Sequence, residues 1–231
     1  MGSSFYRTAA AASFCSAITT LGLIFLPDLM APVEDFAGRM QRVTDPAYRL
    51  RSWIYLVHPF LVFTAMLGIG LALRHSTPAR ALTGTIAMGV WALTEAGQQT
   101  LTLFAFDKWR HAWLAGDTAI RSTMELRSAI YEGLWDAAYG LLLIGFLIGH
   151  TLYAWALITR HERLSRVVAI FLLLAALLTV ALLIREFGGP NLLAPFGRWA
   201  YPTIQPLGRV LIGVWLWRVA QTGAARLQAR A

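Results

Sequence analysis

Cysteine, lysine and charge are all scarce in this chain. The single cysteine, Cys15, excludes an internal disulfide and any cysteine-built metal cluster. Its place inside an apolar segment reads as that of a small packing residue. The only lysine, Lys108, falls in a linker, which excludes an intramembrane lysine of the kind that carries retinal. Charged residues make up 14% of the 231, against about 25% in an ordinary soluble domain. Missing too are a phosphate-binding glycine loop, a pair of histidines on facing spans for haem and a Ser/His/Asp set. No linker is long enough for a soluble catalytic domain.

What is present is hydrophobic: 57% of residues, with a mean hydropathy of +0.56. These residues come in blocks of roughly twenty, the length that spans about 30 Å of hydrocarbon. Six blocks are read, at 8–27, 52–73, 81–106, 128–158, 164–184 and 201–219. The fold class expected is all-α: a polytopic integral membrane helical bundle, one domain over 1–231, with six transmembrane helices arranged as three hairpins. The fourth block is longer than a bilayer needs, and the sixth is interrupted by Pro206 and Arg209. Ala9 to Ala12 precede the first apolar core instead of following it, so an uncleaved first span is expected. Tryptophans near span ends, among them Trp53, Trp155, Trp199, Trp215 and Trp217, fit interfacial belts.

The net charge of +8 comes almost entirely from arginines scattered among the linkers. No basic stripe with interleaved aromatics forms, so nucleic acid is not an expected partner. Membrane lipids are. The linkers alternate: Arg74 to Arg80 and Arg160 to Arg163 are tight, whereas Pro32 to Val43 and Trp109 to Arg121 have room for a surface-lying helix. Arginine density in the tight turns favours both termini inside, in a bacterial inner membrane. A weak repeat runs through the even spans: Leu50-Arg51-Ser52-Trp53-Ile54-Tyr55 matches Leu126-Arg127-Ser128-Ala129-Ile130-Tyr131 at five of six positions. Acids end the odd spans (Asp28, Asp107, Glu186) and arginines open the even ones (Arg51, Arg127, Arg209), which suggests ion pairs such as Asp107–Arg127.

Three carboxylates lie inside the apolar blocks: Glu95, Glu132 and Asp136. A charge near the bilayer centre costs at least about 2.5 kcal/mol, so such residues face a protein interior or a water-filled cavity. Helical phase gathers polar neighbours around them. Glu95, Gln98, Gln99 and Thr102 share one face of the third span, Glu132, Asp136 and Tyr139 one face of the fourth, and Tyr55 and His58 one face of the second. At 1.5 Å per residue all lie within about 18 Å of the long-linker face. These stripes must turn toward one another, which predicts a cavity between the second, third and fourth spans. His150 and Tyr153 fall toward the opposite face, outside it.

Interhelical hydrogen bonding is a sufficient role for Gln98, Gln99, Thr102 and Tyr139. The acids ask for more, since no intramembrane arginine or lysine stands at hand to pair with them. The catalytic candidates are Glu132 and Asp136, one turn apart, with Glu95. Tyr55, His58, Trp91, Gln98, Gln99, Trp135 and Tyr139 are the substrate-binding candidates. Proton exchange between a protonated and an ionised carboxyl, with aromatic faces stabilising a cation, suits an acid–base isomerase or cyclase acting on a lipophilic small molecule. A proton-coupled transporter and a non-catalytic accessory subunit of a larger membrane complex are the alternatives, and a homo-oligomer is compatible with all three. No metal site is expected, because only one histidine, His58, shares the depth of the acids. No cofactor is expected either.

Overall fold

The computed structural model describes residues 3–228 and is all-helical, with no strand among the described residues. Eight α-helices follow one another: α1 (Ser3–Phe25), α2 (Phe36–Gln41), α3 (Pro46–Leu73), α4 (Pro78–Leu101), α5 (Asp107–Ala115), α6 (Thr118–Ile158), α7 (Arg163–Glu186) and α8 (Gly197–Gln228). A π-helical turn, Thr102–Phe106, joins α4 to α5. Four elements are long and apolar enough to cross a membrane: Ser3–Leu29, Pro46–Leu73, Thr118–Ile158 and Arg163–Glu186. Helices α4 and α8, which carry Glu95 and Arg209, are not among the four.

Local chemistry sets the boundaries. Pro46 and Pro78 stand in the first turns of α3 and α4, where a missing N–H costs nothing. Linker acids start three helices. Asp35 accepts from the Gly38 N–H at 2.7 Å, Asp45 from Ala47 at 2.7 Å, and Asp117 from Ile120 at 3.0 Å. Expected surface helices appear as α2 and α5. The fourth apolar block is part of a longer helix, since α6 begins ten residues before it, at Thr118.

The long helices form a closed ring in the order α1, α3, α4, α6, α7, α8, with α8 returning against α1. The tight turns share one end, where Arg160 donates to the Ala72 carbonyl and to Ser76. Helices α2 and α5 share the other, where Phe36 meets Trp113 edge to face.

Toward the tight-turn end the ring is solid. Met66, Ile69, Leu73, Met88, Tyr153, Leu157, Ile212, Trp215 and Leu216 are fully buried there. Trp215, expected in an interfacial belt, is instead core, and its indole N–H donates to Ser165 at 2.9 Å. Tyr153 bonds Thr85 at 2.8 Å and packs on Gly84. Gly145 lets α6 approach the α4 backbone: a Cβ there would stand 2.9 Å from the Ala87 carbonyl oxygen. The outer faces carry Ile18, Leu82, Leu93, Leu134 and Leu177, each well exposed, as lipid-facing positions would be. Cys15 is exposed as well, so it is not the packing residue its context suggested.

Candidate functional site

Toward the long-linker end the ring is hollow. A cavity of about 640 Å³ opens between all six long helices, not only α3, α4 and α6. Its wall includes every residue singled out from helical phase: Glu95, Glu132, Asp136, Tyr55, His58, Trp91, Gln98, Gln99, Trp135 and Tyr139. His150 and Tyr153 are not in this wall.

The three acids occupy different surroundings. Glu95 is buried, 7% exposed, deep in the wall. Glu132 and Asp136 are exposed at the mouth. Glu132 is bound by Arg39 of α2 at 2.9 Å, with both side chains about half exposed. Glu132 and Asp136 are therefore not a buried pair: both side chains are exposed, and Glu132 is bound by Arg39. Both lie within the apolar block of α6, on the part of that helix that lines the cavity.

A basic residue does share the cavity with the acids, although it pairs with none of them. Arg209 of α8 lines the same cavity and is 4% exposed. None of its guanidinium nitrogens donates a hydrogen bond among the described residues, and Nη1 is wholly shielded. Glu95 likewise accepts none. No nitrogen of Arg209 comes within 4.0 Å of a Glu95 oxygen. Arg209 lies beside the Phe146 ring, 5.9 Å from its centroid, and borders a small void with His150 on its far side. Ser13 holds the backbone at this point, donating to the Arg209 carbonyl at 2.6 Å.

Other polar groups are anchored. His58 Nδ1 lies 2.8 Å from the Thr19 hydroxyl, and its ring meets Trp91 edge to face. Gln98 donates to the Trp135 carbonyl at 2.9 Å, tying α4 to α6. Thr102 lies 2.6 Å from the Tyr131 hydroxyl, and Tyr131 stacks on Phe106 with ring centroids 4.3 Å apart. Gln99 is buried on the same face as Gln98. The repeat acquires a structural meaning here. Ser52 and Ser128 are both buried and bond the carbonyl four residues back, and Tyr55 and Tyr131 both face the cavity.

Near the mouth, Asp107 pairs with Arg110 and accepts from Tyr48, each at 3.1 Å. The expected Asp107–Arg127 pair does not form, and Arg127 lies over Trp109 instead. Burial raises the Asp107 carboxyl above the usual range, an effect that Arg110 and the Tyr48 hydroxyl oppose. Tyr131, Tyr201, Gln205 and Arg209 are lining residues that sequence reasoning missed. Arg209 had left a trace, as the charge that broke the sixth apolar run. Among the described residues no three His, Cys, Asp or Glu side chains converge as metal ligands would. Comparison of the chain with known protein families, characterised proteins and solved structures finds no match.

Proposed function

We propose that this is a six-span membrane protein that binds a lipophilic small molecule inside its helical ring, with α4 and α8 as the two spans that carry polar cargo. One observation carries the reading. A buried carboxylate, Glu95, and a buried guanidinium, Arg209, line one cavity with no hydrogen-bond partner on either among the described residues. Buried polar groups are nearly always satisfied, and charged ones cost most when they are not. Two such groups, walled by Trp91, Trp135 and Phe146, suit a ligand that is mostly apolar and brings its own polar atoms.

In this reading Glu95, not Glu132 or Asp136, is the acid–base group. An isomerase or cyclase remains the enzyme class it fits. The solid tight-turn half favours a one-ended pocket over a transport path. Arginines 74, 80, 160, 163 and 166 crowd that solid end, so we place it on the cytoplasmic face of a bacterial inner membrane, with the mouth opposite.

The test is mass spectrometry of organic extracts from gently purified protein, wild type against a Glu95→Gln/Arg209→Gln variant. A defined apolar molecule, near-stoichiometric in the wild type and depleted in the variant, is the expected outcome. Bulk membrane lipid alone in both samples would overturn the pocket.

A further inference from the structure

Arg209 narrows the class of ligand. A guanidinium keeps its proton under all physiological conditions, so burial cannot be relieved by discharging it. The available remedies are a partner anion or a set of acceptors. Among the described residues Arg209 has neither: its nitrogens make no hydrogen bond, and Glu95 stands off beyond ion-pair distance. Two polar side chains of the same wall are engaged with neighbouring helices, Gln98 donating to the Trp135 carbonyl and His58 lying on Thr19, whereas Tyr201 and Gln205 line the cavity beside Arg209 without bonding it. The planar fork of an arginine matches two oxygens of one carboxylate or phosphate, which makes its geometry selective as well as its charge.

Position adds a direction. Arg209 borders both the main cavity and the small void beside His150, so it sits where the hollow half meets the solid half. From there toward the mouth the wall turns aromatic, through Phe146, Trp91, Tyr139 and Trp135 to Tyr131.

We infer that the cavity takes an amphiphile head first, its terminal oxyanion bound by Arg209 and its apolar chain lying along the aromatic wall. The inference rests on the pocket proposed above and specifies its occupant. Glu95 can hold a proton while the oxyanion is bound, which removes the repulsion between two anions and adds a donor. A single-chain carboxylate and a single-chain phosphate share the required chemistry.

The experiment uses full-length protein in nanodiscs of neutral phosphatidylcholine. A twelve-carbon carboxylic acid bearing a fluorophore at its far end reports binding, and dodecanoate, dodecyl phosphate and dodecanol compete with it. The expected result is displacement by one or both anions at concentrations at least ten-fold below dodecanol. Whichever anion is stronger identifies the head group. Arg209→Gln should erase that preference, and Arg209→Lys should keep part of it. The Ser13 bond goes to the backbone carbonyl, so both substitutions leave it in place. Should Arg209→Gln not fold, the anion-to-alcohol ratio in the wild type and in Arg209→Lys still decides. Equal competition by dodecanol, unchanged in the variants, would overturn the oxyanion and leave the pocket standing. Absence of saturable probe binding in the wild type would overturn both.

Discussion

The two ends of this ring are made of the same helices and obey opposite rules. At the tight-turn end glycine is a device for contact: Gly145 brings α6 against the backbone of α4, and Gly84 receives the ring of Tyr153. At the other end the same helices stand apart around an open cavity of about 640 Å³. Tyr153 and Trp215, in the solid half, each have a hydrogen-bond partner, whereas among the described residues Glu95 and Arg209, which line the cavity, have none. One end is built for cohesion between helices. At the other, cohesion is given up and unmatched polarity is left facing an interior space. The contrast teaches that helix-to-helix packing alone does not explain the second half of the molecule.

Substitutions can sharpen or break this contrast. Trp215→Ala removes the largest fully buried side chain and should cost about 3–5 kcal/mol, visible as a steep fall in the melting temperature of detergent-solubilised protein. Trp135→Ala, in the cavity wall, should cost far less; an equal fall would mean that both halves are packed alike. Gly145→Ala forces a methyl against the α4 backbone and should destabilise by about 1–3 kcal/mol. Gly133→Ala meets open space and should stabilise α6 by about 0.5–1 kcal/mol through helix propensity alone. Chemical denaturation of the pair reads the difference in sign. Tyr153→Phe removes the bond to Thr85 and should cost about 1 kcal/mol by the same measurement. Smallest of all, Arg39→Ala breaks an ion pair half exposed at the mouth, and about 1 kcal/mol is the most it should cost. A larger loss would make α2 part of the cohesive structure.

Much of the hollow half was legible because period survives in sequence. The stripe Glu95, Gln98, Gln99, Thr102 follows the 3.6-residue turn, and all four side chains do reach the cavity wall. Depth was harder to read, because it depends on where a helix starts. Glu132 looks embedded if the fourth helix begins with its apolar block. Its side chain is nonetheless exposed and held by Arg39 of α2. Arg209 failed for the same reason. A lone arginine at the edge of an apolar run reads as an interface marker, yet α8 begins at Gly197 and carries it about 18 Å along its axis. The contact of Arg39 with Glu132 joins residues 93 apart and leaves no local pattern at all. Apolarity, too, misleads selectively: α4 and α8 fall outside the four clearly apolar helices, and they hold Glu95 and Arg209, the buried charges that line the cavity without an ion-pair partner among the described residues.

Closure of the ring by α8 against α1 has a consequence in time. A chain leaves the ribosome in order, so in the six-span arrangement proposed above Glu95 reaches the bilayer before Arg209. Until α8 arrives in that arrangement, the other five long helices form an open crescent. Helix α8 contains Pro202, Pro206 and Arg209, and it is not among the helices clearly apolar enough to cross a membrane. The edges of that crescent, α1 and α7, are the surfaces that must receive it. In the proposed arrangement, docking of α8 both closes the ring and brings Arg209 into the cavity wall.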